Sequence, residues 1–110
     1  MKVLPLVAAA AAVFAFSTAH AAPDAAAAEK MIKADGCTKC HAVDKDKKGP
    51  AFKKVAANFK GKADAEAKLT TFLTTGPEIK MDDGSKDTHK SLAGKDPASI
   101  KNLVQWILAQ

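Results

Sequence analysis

The chain has 110 residues, of which 47% are hydrophobic and 26% are charged, as in a small soluble domain. Its formal net charge is +5, and all 17 basic residues are lysines. Because bidentate contacts to bases and phosphates favour arginine, this composition argues against a nucleic-acid-binding protein. Aromatic residues make up only 5% of the chain, so the sequence predicts a thin core completed by a cofactor, a metal, a disulfide or a partner.

Residues 1–21 have the pattern of a secretory signal peptide. Lys2 supplies the positive charge, an apolar stretch follows at 3–16, and an Ala-His-Ala cleavage motif ends at Ala21. The apolar stretch is shorter than the ~20 residues that a membrane span needs. We therefore expect cleavage after Ala21, no permanent membrane anchor, and one mature domain, residues 22–110, outside the cytoplasm.

An all-α fold of four short helices is predicted for the mature chain, because no segment alternates well enough to predict a strand. Residues 22–28 are expected to fray. Asp64 and Asp96 are the expected N-caps of the last two helices, with Pro97 in the first turn of the final one. The helices are expected at 29–35, 51–59, 65–74 and from Pro97 onward.

The segment between Gly76 and Lys95 is polar and has no periodicity. Structureless loops longer than about 12–15 residues are uncommon in compact domains and usually have a function. We expect this segment to be held in place by an interaction elsewhere in the protein.

The chemistry of the sequence lies in Cys37-Thr38-Lys39-Cys40-His41. A redox dithiol would need a βαβ context that the sequence lacks, and a zinc site would need ligands beyond His41 and His89. Covalent attachment of haem is the third interpretation, and Cys-x-x-Cys-His is its signature. Thioethers from Cys37 and Cys40 would fix one haem edge and bring His41 to the iron as the proximal ligand. We therefore expect one haem c.

Taken together, these features resemble a short bacterial class I cytochrome c. The resemblance implies a small helical fold around one haem, a periplasmic electron carrier, and crossed first and last helices. It also implies that the Pro50 carbonyl accepts a hydrogen bond from the proximal His41. It spans nearly all of 25–110 and is carried by the segments 36–44, 48–52, 55–61 and 103–108.

The sequence departs from the resemblance at the sixth iron ligand. The family has a methionine, followed by proline, ahead of the last helix; at the corresponding distance from Trp106 this chain has His89. Met81 lies further from Trp106 and is followed by two aspartates, whereas Met31 precedes the attachment motif. We expect His89 as the distal ligand, with Met81 as the alternative ligand and an unligated, solvated His89 as the third possibility.

Electron transfer by Fe(III)/Fe(II) cycling, without catalysis on a substrate, is the expected function. The alternative is a haem-based binder of small ligands or a weak peroxidase, in which the distal ligand leaves the iron.

Seven lysines after the attachment motif would either steer acidic redox partners toward the haem edge or only keep a monomer soluble. These lysines are Lys45, Lys47, Lys48, Lys53, Lys54, Lys60 and Lys62.

Overall fold

The computed structural model describes residues 12–13 and 22–110, so most of the expected signal peptide lies outside the described residues. Within 22–110 the chain forms four α-helices, one 3-10 turn at Cys37–Lys39, and one two-stranded hairpin. The helices are α1 (Ala25–Ala34), α2 (Phe52–Phe59), α3 (Ala65–Thr75) and α4 (Pro97–Leu108). The strands are β1 (Glu78–Lys80) and β2 (Lys86–Thr88). No helix in the described part of the chain has the length and apolar character that a bilayer crossing requires.

Helix α4 is the centre of the packing, because it contacts each of the other three helices. Leu103 and Val104 lie at the middle of its apolar face and are almost completely buried. The contact between α1 and α4 agrees with the expected crossing of the first and last helices. The core contributed by the other elements consists of Ala28, Ile32, Phe52, Leu69, Leu73 and Leu92.

The start of the domain is joined to the middle of the last helix by a pair of hydrogen bonds. The Asp24 amide donates to Oδ1 of Asn102 at 2.8 Å, and Nδ2 of Asn102 donates to the Asp24 carbonyl at 2.9 Å. The Asp24 carboxylate also accepts from the Ala27 amide at 3.0 Å and caps α1. The expectation that residues 22–28 fray is therefore wrong, because α1 already begins at Ala25.

Of the two N-caps predicted from the sequence, one makes the expected hydrogen bond and the other does not. Asp96 caps α4 by accepting from the Ser99 amide at 3.0 Å, and Pro97 occupies the first turn, as the sequence predicts. Asp64 occupies the N-cap position of α3 as predicted, but its carboxylate makes no capping hydrogen bond and instead pairs with Lys68 at 3.1 Å.

The polar segment after α3 contains the one clear departure from an all-helical chain. Strands β1 and β2 pair antiparallel, with Glu78 opposite Thr88 and Lys80 opposite Lys86. The absence of strands was therefore predicted wrongly, although three residues per strand leave the fold class unchanged. The segment that follows is bonded to α3, because the Leu92 amide donates to the Leu73 carbonyl at 2.7 Å.

Candidate cofactor site

A cavity of about 800 Å³ lies between α2, α3, the attachment motif and the hairpin. Its volume falls within the range of cofactor pockets, about 300–1,000 Å³. Cys37, Cys40 and His41 line it, and so do His89 and Met81. The structure therefore brings the sequence-predicted site residues together around one space.

The attachment motif is folded as a tight turn at the end of α1. Gly36 adopts a left-handed conformation (φ 70°), and the His41 amide donates to the Cys37 carbonyl at 2.9 Å. This turn presents both cysteines to the cavity as free, half-buried thiols. Burial, with a smaller contribution from the Asp35 carboxylate, raises the pKa of the Cys37 thiol.

The loop after the motif fixes the orientation of the His41 ring. Nδ1 of His41 lies 2.7 Å from the Pro50 carbonyl, the contact that the resemblance implies. Because a carbonyl oxygen only accepts, Nδ1 carries the proton and Nε2 keeps its lone pair for a metal. Gly49 lies against the same ring, and its amide donates to the Cys40 carbonyl at 2.7 Å.

His89 has the same tautomer on the opposite side of the cavity. Its Nδ1 lies 2.9 Å from the Lys90 carbonyl, so this nitrogen also donates and Nε2 is left free. The His89 amide donates to the Pro77 carbonyl at 2.9 Å. The Phe72 ring contacts the imidazole edge to face, with 4.8 Å between ring centroids. These contacts fix both the backbone and the ring of His89.

The separation of the two imidazoles fits one metal ion between them. Their ring centroids are 6.2 Å apart. Two imidazoles bound to opposite sides of one transition metal, at about 2 Å each, have centroids roughly 6 Å apart. The two imidazoles therefore lie at a spacing that would suit a haem iron bound between them.

Two further residues of the site were not identified from the sequence. Asp35 is buried beside the attachment turn, with Nζ of Lys95 at 3.1 Å and Nζ of Lys90 at 3.4 Å from its Oδ1. Its lysine partners lie far along the chain, 55 positions away in the case of Lys90, so no local pattern indicates the cluster. Gly76 approaches the His89 carbonyl so closely that a Cβ there would lie 2.6 Å from it.

The seven lysines after the motif do not form one continuous rim. Lys47, Lys48 and Lys54 line the main cavity, whereas Lys53 and Lys60 line a smaller one beside the end of α4. The Lys54 ammonium pairs with Asp46 at 3.1 Å, and the Lys47 ammonium donates to the Thr38 carbonyl.

The chain is similar to known bacterial cytochromes. A family model described as cytochrome c matches residues 25–110. Cytochrome c-551 of Pseudomonas aeruginosa is 37% identical over 82 residues, which cover 74% of this chain and 75% of that protein. Cytochrome c-551 of Allochromatium vinosum is 35% identical over 94 residues, covering 86% and 97%. Among solved structures, the class 1 cytochrome MtoD of Sideroxydans lithotrophicus ES-1 has a TM-score of 0.79 and 49% identity, covering 80% of this chain and 97% of that one.

The fold and the site thus define a small all-α protein built around one haem, which confirms the predicted fold class. The chain belongs to the cytochrome c family. It is a monohaem electron carrier with covalently attached haem c, and it has the two cysteines that such attachment requires.

Proposed function

We propose that this cytochrome carries single electrons between redox proteins of the periplasm with both axial positions of its iron filled by histidine. In this proposal Cys37 and Cys40 form the thioethers, His41 is the proximal ligand and His89 is the distal ligand. The bound haem supplies the Fe(III)/Fe(II) couple. The chain holds the iron between two fixed nitrogens and catalyses no reaction on a substrate.

The pairing of the two imidazoles in one cavity is the observation that carries this proposal. His41 donates from Nδ1 to Pro50 and His89 donates from Nδ1 to Lys90, so in both rings Nε2 is the nitrogen left to bind a metal. Hydrogen bonds of this kind raise the donor strength of an imidazole and fix its plane. The 6.2 Å centroid separation leaves room for one metal ion and no exogenous ligand.

Ligation by two histidines has a consequence for the reduction potential. A thioether raises the haem potential, whereas imidazole favours Fe(III) and holds the potential lower.

Met81, the alternative ligand, lies at the hairpin turn, where its amide donates to the Ser85 carbonyl at 2.7 Å. Its backbone is therefore committed to the hairpin, whereas the His89 ring is held by both the Lys90 carbonyl and Phe72.

The distal ligand is tested with His89→Ala, and Met81→Leu is the matched control on the same side of the cavity. We expect His89→Ala to turn the ferric haem high-spin or water-ligated, and to let the ferrous protein bind carbon monoxide. Met81→Leu should keep the low-spin spectrum of the wild type. The measurements are the ferric absorption spectrum and carbon monoxide binding at neutral pH.

The reverse pattern would assign the sixth position to Met81. The wild-type ferric protein would then show the weak far-red band of sulfur-to-iron charge transfer, and its potential would be higher. Carbon monoxide binding by the reduced wild-type protein would instead favour the small-ligand binder or weak peroxidase.

We also propose redox partners with acidic docking surfaces. Six lysines and four aspartates line the cavity that would enclose the haem, so its rim is positive on balance. Long-range attraction of this kind raises association rates and weakens with salt.

The signal-peptide pattern at 1–21 supports export, after which the purified chain should begin at Ala22.

A further inference from the structure

We infer that Asp35 is a positioning residue whose carboxylate holds residues 89–95, here called the His89 segment, against the haem-attachment turn. This inference rests on His89 being the distal ligand. Asp35 lies two positions before Cys37, and one of its two lysine partners, Lys90, directly follows His89. The Asp35 side chain therefore connects the two segments that would hold the haem.

The burial of Asp35 is unusual for a charged residue in this protein. At 7% exposure it is the single charged side chain classed as buried among the described residues. A buried carboxylate needs partners, and Asp35 has two: Lys95 at 3.1 Å and Lys90 at 3.4 Å. Nζ of Lys90 also donates to the Asp35 backbone carbonyl at 2.9 Å, so this lysine contacts both polar groups of the residue.

The lysine side chains of this cluster are exposed to solvent, whereas the Asp35 carboxylate is buried. Both lysine side chains are about half exposed, at 55% for Lys90 and 49% for Lys95. If Asp35 lost its charge, the two ammonium groups would return to water at little cost. The result would be release of the segment after His89 rather than collapse of the core.

The His89 segment has two attachments, and Asp35 provides the second. On the α3 side the backbone is held by hydrogen bonds, including the His89 amide to Pro77 and the hydroxyl of Ser91 to the Thr74 carbonyl at 2.7 Å. On the α1 side the ion pairs of Asp35 hold it. Losing the α1 attachment would let the segment turn about the α3 contacts, so the imidazole would leave the iron more often.

The test uses Asp35→Asn in the haem-loaded protein, with Asp64→Asn as a matched control. Asp64 also pairs with a lysine, Lys68, but its side chain is exposed and does not line the cavity. We expect the rate of carbon monoxide binding to the ferrous Asp35→Asn protein to rise roughly ten- to hundredfold, as for one lost charge-assisted hydrogen bond. Hydrogen exchange at the Leu92 amide should quicken as well. Asp64→Asn should match the wild type in both measurements.

Lys95→Gln is a second variant that keeps Asp35 paired with Lys90 and tests the same attachment if Asp35→Asn folds poorly. It should raise the carbon monoxide binding rate by a smaller factor. If either variant lowers the thermal midpoint but leaves the binding rate at the wild-type value, Asp35 is merely structural and the inference is overturned. If His89→Ala itself fails to open the iron to carbon monoxide, the proposed ligation is wrong instead.

Discussion

Gly49 leaves no room for a side chain beside the His41 ring. A Cβ at this position would lie 2.5 Å from Cε1 and 2.9 Å from Nδ1 of His41. The ring is also held by Phe52, which stacks on it with 5.2 Å between centroids and an interplanar angle of 21°. The imidazole therefore cannot yield to a larger residue at 49 without losing its contact with Pro50.

For Gly49→Ala we expect His41 to be displaced, because the new methyl group would overlap a ring that Phe52 and the Pro50 carbonyl already hold. The free energy of unfolding should fall by about 1–3 kcal/mol, as for other overpacked sites. The ferric spectrum should show a high-spin fraction. Gly94→Ala is the control, since a Cβ there meets nothing within 4 Å and its φ is ordinary. Equal behaviour of the two variants would contradict the role given to Gly49.

At the scale of elements, the end of α3 determines where the distal segment lies. Gly76 ends the helix in the left-handed region (φ 57°), and its amide donates to the Phe72 carbonyl at 3.1 Å. The chain then returns so closely that the His89 carbonyl and Ser91 occupy the space where a Cβ would be. The end of one helix thus fixes the position of a proposed ligand thirteen positions further along the sequence.

Alanine substitutions at Gly61 and Gly76 distinguish the effect of backbone strain from the effect of displacing the His89 backbone. Gly61 (φ 75°) is left-handed like Gly76, but a Cβ there meets nothing within 4 Å. Both Gly61→Ala and Gly76→Ala should lower the free energy of unfolding by about 1–2 kcal/mol through backbone strain. Only Gly76→Ala should also speed carbon monoxide binding to the ferrous protein, because it moves the His89 backbone. A faster rate in both variants would show that general loosening, not the contact, opens the iron.

The elements that periodicity predicts are those that bury a face. Helices α2, α3 and α4 follow the spacing of their apolar residues and agree with prediction to within one or two positions at their ends. The beginning of α1 was missed because its alanines carry little pattern, and the backbone of its capping residue, Asp24, is held by Asn102, 78 positions away in sequence. The hairpin was missed because its strands have three residues each and lie mostly exposed, so no alternation marks them.

The same distinction holds for the site in the whole molecule. Cys37, Cys40 and His41 lie within one five-residue motif, so their chemistry could be predicted from the motif alone. His89 could be predicted only by comparison with a family pattern and by elimination. The Asp35 cluster and the close approaches of Gly49 and Gly76 depend on tertiary contacts that no window of sequence contains.

The positive charge around the cavity should affect the rate at which charged reagents oxidise the protein. Lys48 is exposed and lines the cavity, whereas Lys101 is exposed on α4 and does not. We expect Lys48→Glu to slow oxidation by anionic ferricyanide several-fold at low ionic strength and to speed oxidation by a cationic cobalt complex, while added salt removes both effects. Lys101→Glu carries the same charge change and should have the smaller effect. Equal effects of the two variants would mean that net charge alone, not the rim, attracts the partner.

The hydrogen bonds between Asp24 and Asn102 have a topological consequence. They bring together two positions that are 78 residues apart in sequence, and neither residue lines the haem cavity. The start of the domain is therefore held against the middle of α4, and eight residues separate Asn102 from Gln110, which is roughly 12 Å along a helix. A short linker could span that distance without crossing the cavity, as circular permutation requires. The ends of this cytochrome could thus be joined and new ones opened elsewhere, with His41 and His89 left in place.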